Sequence, residues 1–507
     1  MPTFAAVDIG ANSVRLKVAR LVRQRLQVVH EDREVVRLGE SVFRGGMLAP
    51  AAMAQTVKVL RRFYKEVTRH GDVQVRVVAT SALRDARNAQ AFIDWVQMRT
   101  GWRMEVISGT EEARLIHLGI VSNVRVKGSP LLLIDLGGGS CELTISANGR
   151  IRETVSLPLG AVRLTQEFLH HDPPRDYELE RLRAFIAEEV QRAVKRITSA
   201  RPQSVIATSG TAAALAASAR ALTKVSAAEN AVTTRALVRL AVKLEEMDYE
   251  DRIKIPGIGM RRGEIITAGA AVFAELMERC GLQGFRYSEL GLRDGILEQM
   301  AADYTRGARH VRQVVSERWD ALVATAKRYH VDMEQAQHVR DLVVQLFAGL
   351  KSVHRLPAEY EDWLSAAAIL HEVGAYVNRT GWHRHAYYII ANSEILGYTP
   401  AQRRVLAAIT RYLGSALPSS GDKLIKSLDA ADRTHVPKAV ALLRLARALN
   451  QGRRRAVTRI RASKNGRVEL RLTARRATGA DLELWALKKE RAYFRAVFGR
   501  ELQARVA

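Results

Sequence analysis

Short apolar runs set the pattern of the first 300 residues, and helical periodicity sets that of the rest. Phe4 to Val7 and Leu131 to Ile134 are each four apolar residues in a row, the content of a short buried strand. Each run ends in an aspartate, Asp8 or Asp135, and then in a turn of small residues. Residues 14–19 and 26–30 alternate as hairpin strands, and 34–38 is expected to extend their sheet. Pro50 stands where a helix start prefers it, and Gly71 stops that helix near His70. A buried strand over 73–79 follows, then a helix capped by Asn88 and ended before Gly101, a strand over 104–107, and a helix from Glu111. The second half of this region repeats the alternation: a helix over 176–197, a strand over 205–208, a helix over 265–280 opened by Arg261-Arg262-Gly263-Glu264, a strand over 285–288, and a last helix after Gly291. From about residue 305 the chain reads as long amphipathic helices, with period-2 alternation returning only at 467–473. The pattern predicts two α/β lobes, 1–126 and 127–304, then a helical domain, 305–450, and a small basic α+β segment, 451–507.

The two aspartate-ended strands look like one unit used twice. Facing copies would bring Asp8 near Asp135 and open both turns on one cleft. The first turn offers Asn12 and Ser13; the second offers Gly137, Gly138, Gly139 and Ser140, then Glu142. Glycines let a backbone come close to a ligand and aim successive amides at an anion. Asp135 and Glu142 supply hard oxygens of the kind Mg²⁺ takes beside phosphate. Thr80, Ser81 and Arg84 fall at the C-terminal end of the 73–79 strand, where open α/β sheets place ligand groups. Glu111 and Glu112 open a helix, where acids suit the dipole and where a carboxylate at a cleft mouth also suits a general base. Ser209-Gly210-Thr211 follows another strand and offers a third phosphate contact, and Arg262 is placed to reach the cleft.

Bulk composition narrows the partners. The formal net charge is +26, and about +17 of it falls after residue 300. Such an excess suits a polyanion, although an arginine-rich proteome produces the same number. The tail concentrates it in Arg453, Arg454, Arg455, Arg459, Arg461, Lys464, Arg467, Arg471, Arg475 and Arg476, with Arg467 and Arg471 expected on one strand face. No apolar run is long enough to span a bilayer, and Cys141 and Cys280 are the only cysteines, so a cytoplasmic protein is expected.

Four motifs occur in order: Asp8-Ile9-Gly10-Ala11-Asn12-Ser13, Thr80 to Asn88, Ser108 to Ile116, and Asp135-Leu136-Gly137-Gly138-Gly139-Ser140. Together they resemble the exopolyphosphatase/guanosine pentaphosphate phosphohydrolase family, a branch of the sugar kinase–Hsp70–actin superfamily. The resemblance implies two actin-like lobes with the site between them. It implies Mg²⁺ held by Asp135 and Glu142, with Asp8 as a third acid. It makes Glu112 the base and leaves Glu111 to cap the helix or face solvent; Arg84 and Arg163 offset substrate charge. Arg163, in Gly160-Ala161-Val162-Arg163, matches the family's Gly-x-x-Arg element, and Gly291 to Gly295 its closing turn. The helical region resembles the domain of long exopolyphosphatases related to HD phosphohydrolases. His371-Glu372 replaces the metal-binding His-Asp there, which implies a site without metal, with His338, His383 and His385 serving packing or polyanion contact. The implied reaction is processive removal of terminal phosphate from inorganic polyphosphate. Guanosine pentaphosphate hydrolysis and a non-catalytic sensor of guanosine tetraphosphate or polyphosphate are the alternatives; a sugar kinase suits Glu111-Glu112-Ala113-Arg114 less. A homodimer is expected, with neither nucleic acid nor membrane as a specific partner.

Overall fold

In the computed structural model, β1 (Thr3–Ile9) is central to a five-stranded sheet because both its faces are apolar. Ala5, Val7 and Ile9 enter one core and Phe4 and Ala6 another, the two-residue alternation of a strand covered on both sides. The strand order is β3-β2-β1-β4-β5, with β2 (Ser13–Val22), β3 (Arg25–Val35), β4 (Val73–Ala79) and β5 (Met104–Val106). The structure describes residues 1–124, 129–223, 231–304, 309–463, 467–475 and 479–506. Position 127, the expected start of the second lobe, and Lys464 and Arg476 of the basic tail lie outside the described residues.

The second lobe repeats the plan. β6 (Leu131–Leu136), β7 (Cys141–Ala147) and β8 (Arg150–Leu157) form an antiparallel meander. β9 (Ser204–Thr208) runs parallel to β6, and β10 (Ala231–Thr233) and β11 (Gly284–Tyr287) complete a six-stranded sheet in the order β10-β11-β9-β6-β7-β8. The fold is mixed α/β with two actin-like lobes, followed by a mostly helical region, as the alternation predicts.

Several local expectations change. β3 ends at Val35, and residues 39–45, between the expected sheet extension and the Pro50 helix, form the helix Gly39–Gly45 with Gly46 as its left-handed cap. Asn88 stands before the helix Ala89–Thr100 but does not cap it with its side chain. Its amide instead clasps Leu48, accepting from the backbone N–H at 2.8 Å and donating to the carbonyl at 3.0 Å. In β3 a bulge changes the side-chain parity: Val18 pairs with His30 but Ala19 with Val28, leaving Val29 unopposed. Leu26 and Val28 therefore face the same cleft as Glu31 and Arg33 beyond the bulge.

The helix Leu292–Tyr304, which closes the second lobe in sequence, packs on the first, placing Ile296 and Leu297 with Phe4 and Ala6. It crosses the helix Gly109–Asn123 at a glycine contact, where a Cβ on Gly295 would meet the Leu115 carbonyl oxygen at 1.7 Å.

The chain forms two compact units, Met1–Val314 and Val315–Ala507. The second has one core, shared by the helices Met333–Gly349, Tyr360–Leu370, Pro400–Arg411 and Ala430–Ala448. A sheet of β12 (Val457–Ser463), β13 (Val468–Ala474) and β14 (Leu502–Val506) joins that core through Val468, Leu470 and Leu472.

Because backbone rather than a movable side chain blocks the added methyl, Gly295→Ala is expected to cost about 3 kcal/mol. Chemical denaturation would check it; an unchanged midpoint would mean that the two helices are not in contact at this point.

Candidate active site

The turns after β1 and β6 face each other and share a closure. Gly10 N–H donates to the Ser13 carbonyl at 3.1 Å, and Gly137 N–H donates to the Ser140 carbonyl at 2.9 Å. Asp8, Asn12, Ser13, Asp135, Gly137, Gly138, Ser140 and Gly210 line one cleft of about 490 Å³. The turns touch: a Cβ on Gly138 would stand 2.9 Å from Ala11 Cβ, and one on Gly139 2.5 Å from Phe43 Cζ. None of the three consecutive glycines has positive φ; close approach, not a left-handed turn, requires Gly138 and Gly139.

The two copies differ at the cross-strand partner of the aspartate. Asp8 pairs in register with Arg15, whereas Asp135 pairs with Glu142. The second pairing gathers acids. Glu112 joins them from the first turn of Gly109–Asn123, and oxygens of Glu112, Asp135 and Glu142 lie within 4.8 Å of one another. Asp8 lines the same cleft, but the tight cluster is these three acids. Burial, reinforced by Glu142, pushes Asp135 up to about 7. Burial and Glu142 raise Glu112 well above the usual carboxylate range, against the pull of Arg84. Burial raises Glu142 and Asp8 as well, Asp8 against the field of Arg15. Glu142 accepts from Ser156 Oγ at 2.9 Å, but its Oε2 is buried with no hydrogen-bond partner.

The cluster suits a divalent cation on chemistry alone. Three carboxyls converge, each disfavoured in the charged form that a cation would stabilise, and one offers a buried acceptor lacking a donor.

Arg84 is held beside the acids, donating to Glu112 Oε2 at 2.9 Å, to the Ile107 carbonyl at 2.8 Å and to Ser140 Oγ at 3.3 Å. Glu111 turns away from both solvent and cleft. It is buried, and its carboxylate takes two hydrogen bonds from buried Arg114, so this expected cap is an internal ion pair. Arg163 donates to the Gly139 carbonyl at 2.8 Å, pairs with Asp85 and lies 4.3 Å over the Phe43 ring, so it braces the glycine turn. Gly210 leaves room for the Arg262 guanidinium, which a Cβ there would strike, and Thr211 Oγ1 accepts from Arg262 at 3.4 Å.

The same cleft carries a cationic wall that the sequence only partly signals. Arg15, Arg33 and Arg293 line the cleft, and Arg262 stands behind Gly210. Burial and the other arginines lower Arg33 to about 10 and Arg262 to about 9. Arg33 Nε and Nη2 are buried without a partner. Arg15 follows Ser13 by two residues on one strand, a spacing that places both on one face, and Arg293 lies inside the Gly291–Gly295 turn, so both had a sequence signal. Arg33 had none, because the bulge at Val29 reverses the parity of its strand.

In the second unit, His371 is buried and hydrogen-bonded to the Ala368 carbonyl, and burial pushes it down to about 4. Arg453 occupies both oxygens of the Glu372 carboxylate, and Arg447 adds a second nearby cation. His338 lines a separate hollow with Arg340 and Asp341, while His383 packs against Gly414. Arg455 pairs with Glu334. Arg461, Arg471 and Arg505 stand directly opposite one another across β12, β13 and β14, all exposed. Among the described residues of the sheet, Glu469 offsets Arg471 and Arg505, at 3.4 and 2.9 Å. Arg467 immediately precedes β13.

A two-lobed actin-like fold with buried acids and a cationic wall around paired turns defines a phosphate-handling enzyme cleft. The chain belongs to the Ppx/GppA phosphatase family: residues 17–303 match that family, and 318–491 match Ppx/GppA phosphatase, domain III. Among solved structures it is similar to the Ppx/GppA family member of Aquifex aeolicus, with 28% identity and a TM-score of 0.52 over 60% of this chain and 99% of that one. It is also similar to an exopolyphosphatase from Cytophaga hutchinsonii, with 25% identity and a TM-score of 0.56 over the same shares. No helix among the described residues is long and apolar enough to cross a membrane.

Between the ordinary carboxylate value of 3.8 and about 7, folded Asp135 keeps a proton that the unfolded chain has released. Its contribution to stability therefore falls as pH rises through that window. In a chelating buffer, Asp135→Asn is expected to melt several degrees above the parent protein at pH 8 and to match it near pH 4. A lower melting temperature at pH 8 would contradict the buried, raised carboxyl.

Proposed function

We propose that this phosphatase removes the terminal phosphate of inorganic polyphosphate, using Mg²⁺. The observation that carries the reading is the presence, at one cleft, of three converging acids and of arginines among which Arg33 keeps buried donors without a partner. A chain of linked phosphates presents one negative charge after another, which suits a wall of Arg15, Arg33 and Arg293. The exopolyphosphatase among the similar structures supports the same substrate class.

Asp135 and Glu142 would hold Mg²⁺, with Asp8 near enough to add its field; the ion would neutralise the acids and polarise a phosphoryl oxygen. The turns at Asn12-Ser13 and Gly137–Ser140 would cradle the terminal phosphates through their amides. Glu112, relieved of the neighbouring negative charge and held by Arg84, would orient water and take its proton. As the water oxygen bonds to the terminal phosphorus, the bond from that phosphorus to the bridging oxygen breaks. Orthophosphate leaves, and the chain is one phosphate shorter. Arg84 and the cleft arginines would stabilise charge on the transferring group, the electrostatic work that dominates phosphoryl transfer. The row Arg461, Arg471 and Arg505 would hold the chain at a second place, and two points of attachment keep a long substrate bound between turnovers.

Glu112→Ala is expected to lower kcat by about 10²–10⁴-fold; unchanged hydrolysis would remove the base assignment. Phosphate release from long-chain polyphosphate and from guanosine pentaphosphate, compared with Mg²⁺ present and with chain length followed on a gel, tests the substrate. Long chains persisting beside free phosphate are expected, with intermediate lengths appearing when Arg461, Arg471 and Arg505 are all changed to alanine. Release from the nucleotide alone would assign the cleft to guanosine pentaphosphate.

A further inference from the structure

A second group of metal-ligating side chains lies on the first lobe. The helix Pro50–Thr68 presents Glu66, and His70 follows four residues later, just past the helix end. β3 presents His30 to the same point. Glu66 Oε1 lies 3.9 Å from His30 Nδ1 and 3.9 Å from His70 Nε2, and one ligand atom from each of the three residues falls within 4.8 Å of the others. The imidazole centroids are 6.0 Å apart.

Three features distinguish this group from a casual surface contact. The bulge at Val29 puts His30 there: beyond it Glu31 and Arg33 face the cleft, so His30, Asp32 and Glu34 face the helix. Arg62 on that helix confirms the parity by binding Asp32 at 3.1 Å and Glu34 at 3.0 Å. The carboxylate is oriented, because Arg69 donates to Glu66 Oε2 at 2.6 Å and leaves Oε1 to the two imidazoles. His30 Nε2 and His70 Nε2 are shielded from solvent and have no hydrogen-bond partner.

We propose that His30, Glu66 and His70 form a site for a borderline-soft divalent cation of the Zn²⁺ type, separate from the all-oxygen Glu112 cluster. Two imidazoles and a carboxylate are ligands that Zn²⁺ takes with a water in fourth position, whereas Mg²⁺ prefers oxygen alone. Zn–N and Zn–O bonds of about 2.0–2.2 Å put tetrahedral neighbours about 3.4 Å apart, so Glu66 needs to close on each imidazole by about 0.5 Å, and no pair of ligand atoms by more than about 1.4 Å. All three are partly exposed, which gives the ion a path in. Once bound, the ion would tie β3 to the helix Pro50–Thr68, on the strand whose other face carries Glu31 and Arg33 into the cleft.

The test loads the full chain with Zn²⁺ alone, desalts it into excess Mg²⁺ and measures retained zinc by elemental analysis, with the melting temperature read in parallel. About one Zn²⁺ per chain and a raised melting temperature are expected in the parent protein and in Glu142→Gln, and neither in His30→Ala/His70→Ala. Glu66→Gln, a gentler change, is expected to weaken binding at least about tenfold. Undiminished zinc in the double variant, or none in the parent, would overturn the site.

Discussion

The constraint on which the first unit depends is the convergence of three carboxyls, Glu112 and Glu142 buried and Asp135 half-buried, within hydrogen-bonding distance of a shared point. Antiparallel pairing makes Asp135 and Glu142 cross-strand neighbours, and the first turn of Gly109–Asn123 brings in Glu112. Left alone, the group is costly: burial pushes all three toward the neutral acid, and the charge of Glu142 adds to it at Glu112 and Asp135. The surroundings are arranged to tolerate it. Arg84 reaches across from the end of β4 to Glu112, and Arg163 fixes the glycine turn without entering the cleft. This is stability held in reserve for chemistry, the usual cost of a preorganised electrostatic site.

The internal repeat accounts for the asymmetry of the cleft. One supersecondary unit, used twice, gives two aspartates and two phosphate-sized turns. Divergence at a single register position then gives the copies different work. With arginine opposite Asp8, the first copy carries a balanced pair and adds to the cationic wall; with glutamate opposite Asp135, the second becomes the acid cluster. Acids and arginines thus share one cleft, the first lobe supplying Glu112 beside Arg15 and Arg33, the second supplying Asp135 and Glu142.

The second unit uses its charge differently. Many of its basic residues are consumed internally: Arg453 clamps Glu372, Arg444 reaches Glu490, and Arg455 meets Glu334. Net charge alone therefore overstates the free positive surface. What remains available is local, and the row across β12, β13 and β14 is its clearest instance, since like charges directly opposite on a sheet are unfavourable unless something anionic covers them.

The sequence by itself determined the two α/β lobes, the paired aspartate turns and the candidate acids, because these depend on local period and on short motifs whose residues are neighbours along the chain. Asp135 and Glu142 were legible together for that reason: a tight turn makes them partners. Tertiary structure decided what depends on facing and parity. Glu111 and Glu112 are adjacent in sequence, yet helical geometry sends one into an ion pair with Arg114 and the other to the cleft. Arg163 kept its place in a recognisable motif but spends its hydrogen bonds on the glycine turn. Arg33 and His30 lie three residues apart on one strand, so alternation puts them on opposite faces, and the bulge beside them decides that Arg33 takes the cleft and His30 the side of Glu66 and His70. A one-residue bulge has no signature in hydrophobic period, so the faces of that strand, and all the chemistry mounted on them, became readable only once the strand was paired.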